Sequence, residues 1–215
     1  RLEWHEWDLG IASESSLLLQ VLGMLPSSSA KRMRRSYPAP YADLNGGFEA
    51  YLERQSSNSR QQFRRILRSV PKANLNFEIA TEESQALRFL EELIDLHQKR
   101  WEGSGQPGAF QSERVRGFHR GLVKELLPAR KVVLARLGTK DEAAAVLYGF
   151  IAGAEFDFYQ SGLVRDAFGE LKSPGIAAHL LLMQHLSQHG VATYDFLAGA
   201  SSYKDKLATG TRALV

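Results

Sequence analysis

The spacing of apolar side chains divides the chain into short segments of differing period. RLEWHEWDLG puts Leu2 and Trp4 on one face and shifts phase before Trp7 and Leu9, which predicts a strand. SESSLLLQVLGML predicts a short buried helix, and residues 26–47, rich in Ser, Pro, Gly and basic side chains, read as a connection. FEAYLERQSSNSRQQFRRILRSV has a helical pattern with an apolar stripe of Phe63, Ile66, Leu67 and Val70, and Pro71 stops it. LNFEIAT alternates Leu75, Phe77 and Ile79 as a strand does. Thr81 is placed to cap the next helix, whose buried face is Leu87, Leu90, Leu93, Ile94 and His97 and which runs to about Trp101. GSGQPG (103–108) is a loop, and SERVRGFHRGLVKELLP is a helix on Val115, Phe118, Leu122 and Leu126.

KVVLARL, AAAVLYGFIAG and EFDFYQSG follow as three strands, joined by tight turns into an antiparallel meander. A helix from Pro174 to His189 ends at Gly190, and ATYDFLAG is the next strand. That strand is reached through a helix, so it pairs parallel with EFDFYQSG. TRALV lies in or just before a final strand. From residue 75 the order is β-α-α-β-β-β-α-β. This is an α/β fold, a mixed central sheet with helices on both faces. One parallel pair near the centre opens a splay able to hold the extended arm of a ligand.

Composition narrows the function. The chain has 215 residues, 44% hydrophobic, enough to bury a core. The longest apolar runs fall well short of the roughly 20 residues a membrane-spanning helix needs, and even Ile176 to Met183 is broken by His179. With no cysteine, disulfides, thiolate nucleophiles and cysteine metal sites are excluded, and a cytoplasmic location is expected. The chain begins at Arg1 rather than Met, so a preceding piece is expected. Net charge is +3, but basic residues cluster at Lys31 to Arg35 and at Arg60, Arg64, Arg65 and Arg68. Such a cluster reads as solvated helix faces or as a surface for phosphates, acidic glycans or nucleic acid. No GxSxG elbow or phosphate-binding GxxxxGK[ST] loop is present, and the histidines lack metal-binding spacing. His185 and His189, four apart on a helix, read as surface or packing residues.

Ser173-Pro174-Gly175 opens the last long helix. Serine can cap, proline suits the first helical position, and glycine permits close backbone approach. The start itself is a ready anion site, with Lys172 beside it. Asp195, between Tyr194 and Phe196 in an apolar strand, needs a partner, either as general base or by pairing with an arginine. Arg100 and Trp101 end a helix facing the glycine loop. Arg100 suits bidentate contact with an acceptor's carboxylate or phosphate, while Trp101 reads as core or as part of the acceptor site.

HQKRW (97–101), SPG (173–175), YDFLAG (194–199), YK (203–204) and the helix RQQFRRILR resemble the CelD/BcsL-like acetyltransferases of the GNAT superfamily over about residues 40–210. These are bacterial proteins associated with cellulose and exopolysaccharide synthesis. Fem-type transferases, which use aminoacyl-tRNA and carry two GNAT-like halves, are distant relatives. The resemblance implies an acyltransferase domain at 48–215, with 1–47 as the remnant of a degenerate first half plus a connection. It implies acetyl-CoA or another acyl-CoA as co-substrate, held by Lys172, Ser173, Gly175, Ile176 and Ala177 and by the strand edge at Gln160 and Ser161. An amine of a sugar or cell-envelope precursor would be the acceptor, near Arg100, Trp101, Asp157 and Tyr159. Lys204 would stabilise the oxyanion, Tyr203 would return a proton, and Asp195 would act as base. No metal is implied. The chain departs from the family at the phosphate loop, where FGELKSPGIA replaces the Arg/Gln-x-x-Gly-x-Gly/Ala pattern. That keeps two alternatives open: an aminoacyl-tRNA-dependent transferase, and a non-catalytic module of a polysaccharide-synthesis complex. A homodimer is also left open.

Overall fold

The computed structural model describes residues 37–103, 105, 108–164, 168–199 and 201–214. The strand and helix expected before residue 26, the remnant half-domain and the basic run at 31–35 lie outside the described residues.

One seven-stranded sheet organises the protein. Its strands are β1 (Tyr37–Asp43), β2 (Asn76–Ile79), β3 (Val132–Gly138), β4 (Ala143–Ala152), β5 (Glu155–Leu163), β6 (Thr193–Asp195) and β7 (Gly210–Leu214). Their spatial order is β2-β3-β4-β5-β6-β1-β7. The expected meander β3-β4-β5 is antiparallel, and β5 and β6 are parallel, as a helical crossover requires. The stretch read as a connection contains β1, which inserts antiparallel between β6 and β7. Pro38 and Pro40 disguise it in the sequence, because proline is depleted from central strands.

Helices α1 (Gly47–Arg54), α2 (Ser57–Ser69) and α5 (Pro174–Gln188) share one apolar cluster with the back of the sheet. Helices α3 (Glu83–Glu102) and α4 (Glu113–Leu126) share another with the front. The single helix expected over 48–70 is two helices, because Ser56 turns to an extended ψ of 153° and its side chain caps α2 by accepting from the Ser59 N–H at 3.1 Å. Thr81 does not cap α3; its own N–H donates to the Gln85 side chain, and Glu82 holds the cap position without a side-chain bond. Helix α3 buries Phe89, Leu90, Leu93, Ile94 and His97, the three- and four-residue spacing of one face. Helix α4 is rotated from the expected phase. Its buried residues are His119 and Val123, while Phe118 is exposed. A buried histidine had been masked by its polarity. Helix α5 ends as expected at Gly190, whose φ of 84° suits only glycine. Beyond it a short helix α6 (Ser202–Leu207) precedes β7. No helix among the described residues is long and apolar enough to cross a membrane.

Candidate active site

The parallel pairing of β5 with β6 covers only Glu155 to Asp157 opposite Thr193 to Asp195, yet β5 runs on to Leu163. A wedge therefore opens beyond Asp157. The strand expected over 192–199 stops at Asp195 for a local reason. A carboxylate oxygen of Asp195 accepts the Leu197 N–H at 2.6 Å, and Leu197 takes a left-handed φ of 57°. That side-chain turn bends the chain out of the sheet.

On its other edge β5 carries an extra residue against β4. Tyr148 faces Gln160 while Gly149 faces Phe158, so Tyr159 is bulged at the mouth of the wedge. Val164 N–H donates to Ala144 C=O, and by antiparallel alternation Ser161 turns its backbone groups away from β4 and into the wedge. Both are occupied. Ser161 N–H donates to the Gln160 side-chain oxygen at 3.0 Å, and His97 bonds the Ser161 carbonyl at 3.4 Å. Ala109 N–H can only donate to His97 Nε2, at 3.2 Å, so the neutral ring carries its proton on Nδ1. Burial holds the His97 pKa below its usual value.

The back of the wedge leads to the start of α5. A Cβ on Gly175 would stand 3.1 Å from Leu163 Cδ1, so this glycine lets α5 dock on the end of β5. Its open side is thus spent on packing. The Ser173 side chain makes no capping bond. Ser173 C=O accepts the Ala177 N–H at 3.0 Å, while Gly175 and Ile176 hold first-turn amides with no intrahelical partner. Those two amides and the exposed Lys172 give this end of the helix two unpaired donors and a positive charge. The amide of Ala177, expected to join them, is committed to the helix.

At the apex of the wedge, Lys204 Nζ donates to the carbonyls of Ala198 at 3.2 Å and Leu197 at 3.4 Å. Burial lowers its pKa, and the Asp195 and Asp205 charges oppose that shift. Tyr203 stacks on His179 with ring centroids 5.4 Å apart, and burial pushes its phenol up to about 12. His179 is itself buried, with Nδ1 2.7 Å from the Tyr194 hydroxyl and Nε2 without a partner. Burial drives its pKa down to about 3, so the ring is neutral.

The front of the sheet carries the acidic part. Asp157 lies opposite Phe150 of β4 and Asp195 of β6, with Glu155 and Tyr159 along its own strand. Asp195 is fully buried, and its second oxygen pairs with Arg212, which reaches from β7 across β1 and also pairs with Glu155. Arg212 holds Glu155 below the usual carboxylate range. Burial raises Asp157 to about 6, and the neighbouring Glu155 and Asp195 charges add to this. Carboxylate oxygens of Glu155, Asp157 and Asp195 come within 4.8 Å of one another, a spacing a cation could bridge. Here the guanidinium already supplies that charge. Asp195 thus has the arginine partner its burial demanded, and the less buried Asp157 is the carboxylate with a near-neutral pKa.

Sequence reasoning named residues on every side of the wedge. Arg100 is exposed at the end of α3, and its charge lowers the Tyr203 pKa, which places the two near each other. Trp101 is 39% exposed rather than core. His97, His119, His179, Glu155 and Arg212 were missed as site residues. Their signal was present only as polar residues interrupting apolar patterns, as with His97 on α3 and His179 on α5.

Comparison with known proteins agrees with this geometry. Residues 57–205 match the family described as "Acetyltransferase (GNAT) domain", and the chain belongs to that family. The C-terminal domain of a putative lysylphosphatidylglycerol synthetase from Agrobacterium fabrum superposes with a TM-score of 0.56 at 16% identity, over 84% of this chain and 60% of that one. FemX gives a TM-score of 0.61 at 11% identity, over 82% and 59%. L-PGS from Bacillus licheniformis gives 0.56 at 16%, over 84% and 60%. At these identities the likeness is one of fold, and the chain spans about 60% of the length of these structures. No curated protein matches the sequence.

Proposed function

We propose that the protein transfers an acyl group from acyl-CoA to an amine on a sugar or cell-envelope precursor, as the CelD/BcsL-like resemblance implies. The wedge between β5 and β6 carries this reading, because one end meets free helix amides and the other meets Lys204, Tyr203 and Asp157. The donor's phosphates would sit at the Gly175 and Ile176 amides beside Lys172, with its amide arm along Gln160 and Ser161, where it would displace the Gln160 side chain from the Ser161 N–H. The acceptor ammonium first gives a proton to Asp157, and the free amine nitrogen then bonds to the acyl carbonyl carbon. Asp195, fixed by Arg212, holds the negative field around that base. Lys204 stabilises the oxyanion. When the C–S bond breaks, the thiolate takes the Tyr203 proton, and the Tyr203 phenolate takes the second proton of the nitrogen. Holding donor and acceptor together removes much of the entropic barrier, so no covalent enzyme intermediate is needed.

Calorimetric titration with coenzyme A and acetyl-CoA tests the donor, with Gly175→Glu as control and circular dichroism to verify folding. Micromolar binding lost in the variant is the expected result. No binding to the folded protein would remove acyl-CoA as donor.

A second reading rests on α2. Its outer face carries Arg60, Arg64, Arg65 and Arg68 with no acidic residue in the helix, which suits aminoacyl-tRNA as the donor, as in Fem-type transferases. RNA binding that falls steeply between low and moderate salt would favour it. Binding unaffected by salt would count against it.

A further inference from the structure

Among the described residues four large hydrophobic side chains are exposed, and three of them, Trp101, Phe118 and Tyr159, belong to one aromatic network. Phe118 is 61% and Tyr159 42% exposed. Their rings lie 5.4 and 5.2 Å from the His119 ring, whose two nitrogens meet the Tyr148 hydroxyl at 3.2 Å and the Tyr159 hydroxyl at 3.4 Å. A neutral imidazole accepts from one phenol and donates to the other, so His119 fixes Tyr159 from below. Phe110 packs edge-on to both His119 and His97, which in turn contacts Trp101. Phe118 and Tyr159 thus present exposed aromatic surface on either side of one ordered, buried ring.

What this patch adjoins specifies its occupant. Tyr159 and Asp157 share the front face of β5, and Phe150, opposite Asp157, lies 5.8 Å from the Tyr159 ring. Beyond Asp157 stand Asp195 and Glu155, with Arg212 as the cation paired to them. Three carboxylates against one guanidinium and the Lys204 ammonium, whose charge is felt by Asp195, leave the floor negative by one charge. Aromatic faces beside carboxylates attract ammonium groups, by the ring quadrupole and by charge. The same field repels an acceptor with a carboxylate or phosphate next to its amine.

We propose that the acceptor binds as a ring-bearing ammonium ion such as a hexosamine, with its ring against Tyr159 and Phe118 and its charged nitrogen at Asp157. This rests on the reading of the wedge as an acyl-transfer site and names the acceptor class that the site selects. Two features define that class: a free amine, and a ring face broad enough to cover the patch.

Calorimetry with glucosamine, glucose and ethylamine tests it. Glucosamine should bind at least about tenfold more tightly than glucose, which lacks the charge, or ethylamine, which lacks the ring. Phe118→Ala and Tyr159→Ala, both at exposed positions, should each weaken glucosamine about threefold to tenfold. Asp157→Asn should erase its advantage over glucose. Equal binding of glucose and glucosamine, or glucosamine binding unchanged in both aromatic variants, overturns the proposal. Coenzyme A titrated in parallel separates the two ideas. Its binding without glucosamine preference sinks only this inference, and glucosamine preference without coenzyme A binding sinks only the donor.

Discussion

Asp157 and Asp195 stand opposite each other on adjacent strands and have different environments. Asp195 has its oxygens committed to Leu197 N–H and Arg212, whereas Asp157 is raised to about 6 by burial and by two carboxylate neighbours. If Asp157 takes the acceptor's proton, kcat with acyl-CoA should rise with pH through about 6, and Asp157→Asn should remove that limb. A profile unchanged in the variant would assign the proton elsewhere. Stability moves the other way. A raised carboxylate pKa means the folded state holds the proton more tightly, so this group's contribution declines as pH climbs from the usual value of 3.8 through about 6. Lys204 makes its own prediction. Lys204→Met should reduce kcat by about a hundredfold while leaving coenzyme A affinity within about twofold, since an oxyanion forms only in the transition state. The charges of these residues were legible in the sequence, and their pairings were not. Arg212 and Asp195 are seventeen positions apart and meet only because the sheet places β7 one strand beyond β6, within the arginine's reach across β1.

At the scale of elements, glycines control how closely helices and strands approach. A Cβ at Gly162 would fall 2.6 Å from Leu93 O and 2.8 Å from Leu93 Cα, so α3 rests on bare backbone at the wedge edge of β5. Because the obstacle is backbone, it cannot rotate away. Gly162→Ala should destabilise by about 1–3 kcal/mol in urea denaturation, and an unchanged midpoint would show that α3 can shift freely. Gly175→Ala meets only the Leu163 side chain, at 3.1 Å, and should cost less. Most elements were legible because their periods were strong: the β3-β4-β5 meander, α3 and α5 all fall where expected. The misreadings share a cause. In α4 a buried histidine replaced an apolar residue, and in β1 two prolines concealed a strand that tertiary pairing holds extended.

Across the whole molecule, β1 and β7 extend the sheet past the wedge, and Arg212 ties β7 to β5 and β6. Losing that guanidinium would leave Asp195 buried without its hydrogen-bonded counter-charge. Arg212→Gln should therefore destabilise by about 3–5 kcal/mol, and adding Asp195→Asn should recover part of the loss. Equal stability of the Arg212→Gln single variant and the unmodified chain in guanidinium denaturation would mean the network is solvated rather than structural. The basic face of α2 lies behind the sheet and the acidic, aromatic face in front, so the two sides of the molecule differ in charge.

Local chemistry determined the order of elements, the parallel crossover and the GNAT resemblance, because hydrophobic period, turn residues and motif order act over a few residues at a time. The resemblance pointed to Tyr203, Lys204 and Asp195 as catalytic candidates, to Asp157 as an acceptor contact and to the start of α5 as the donor's end. Only the tertiary structure decided which carboxylate pairs with an arginine and which has its pKa raised, that Gly175 serves helix docking, and that exposed aromatic residues from three elements join one ring network through buried His97, Phe110 and His119. Those outcomes depend on strand order, a bulge at Tyr159 and the early end of β6, which bring together residues distant in the chain. A linear pattern carries no information about such distances until the sheet is assembled.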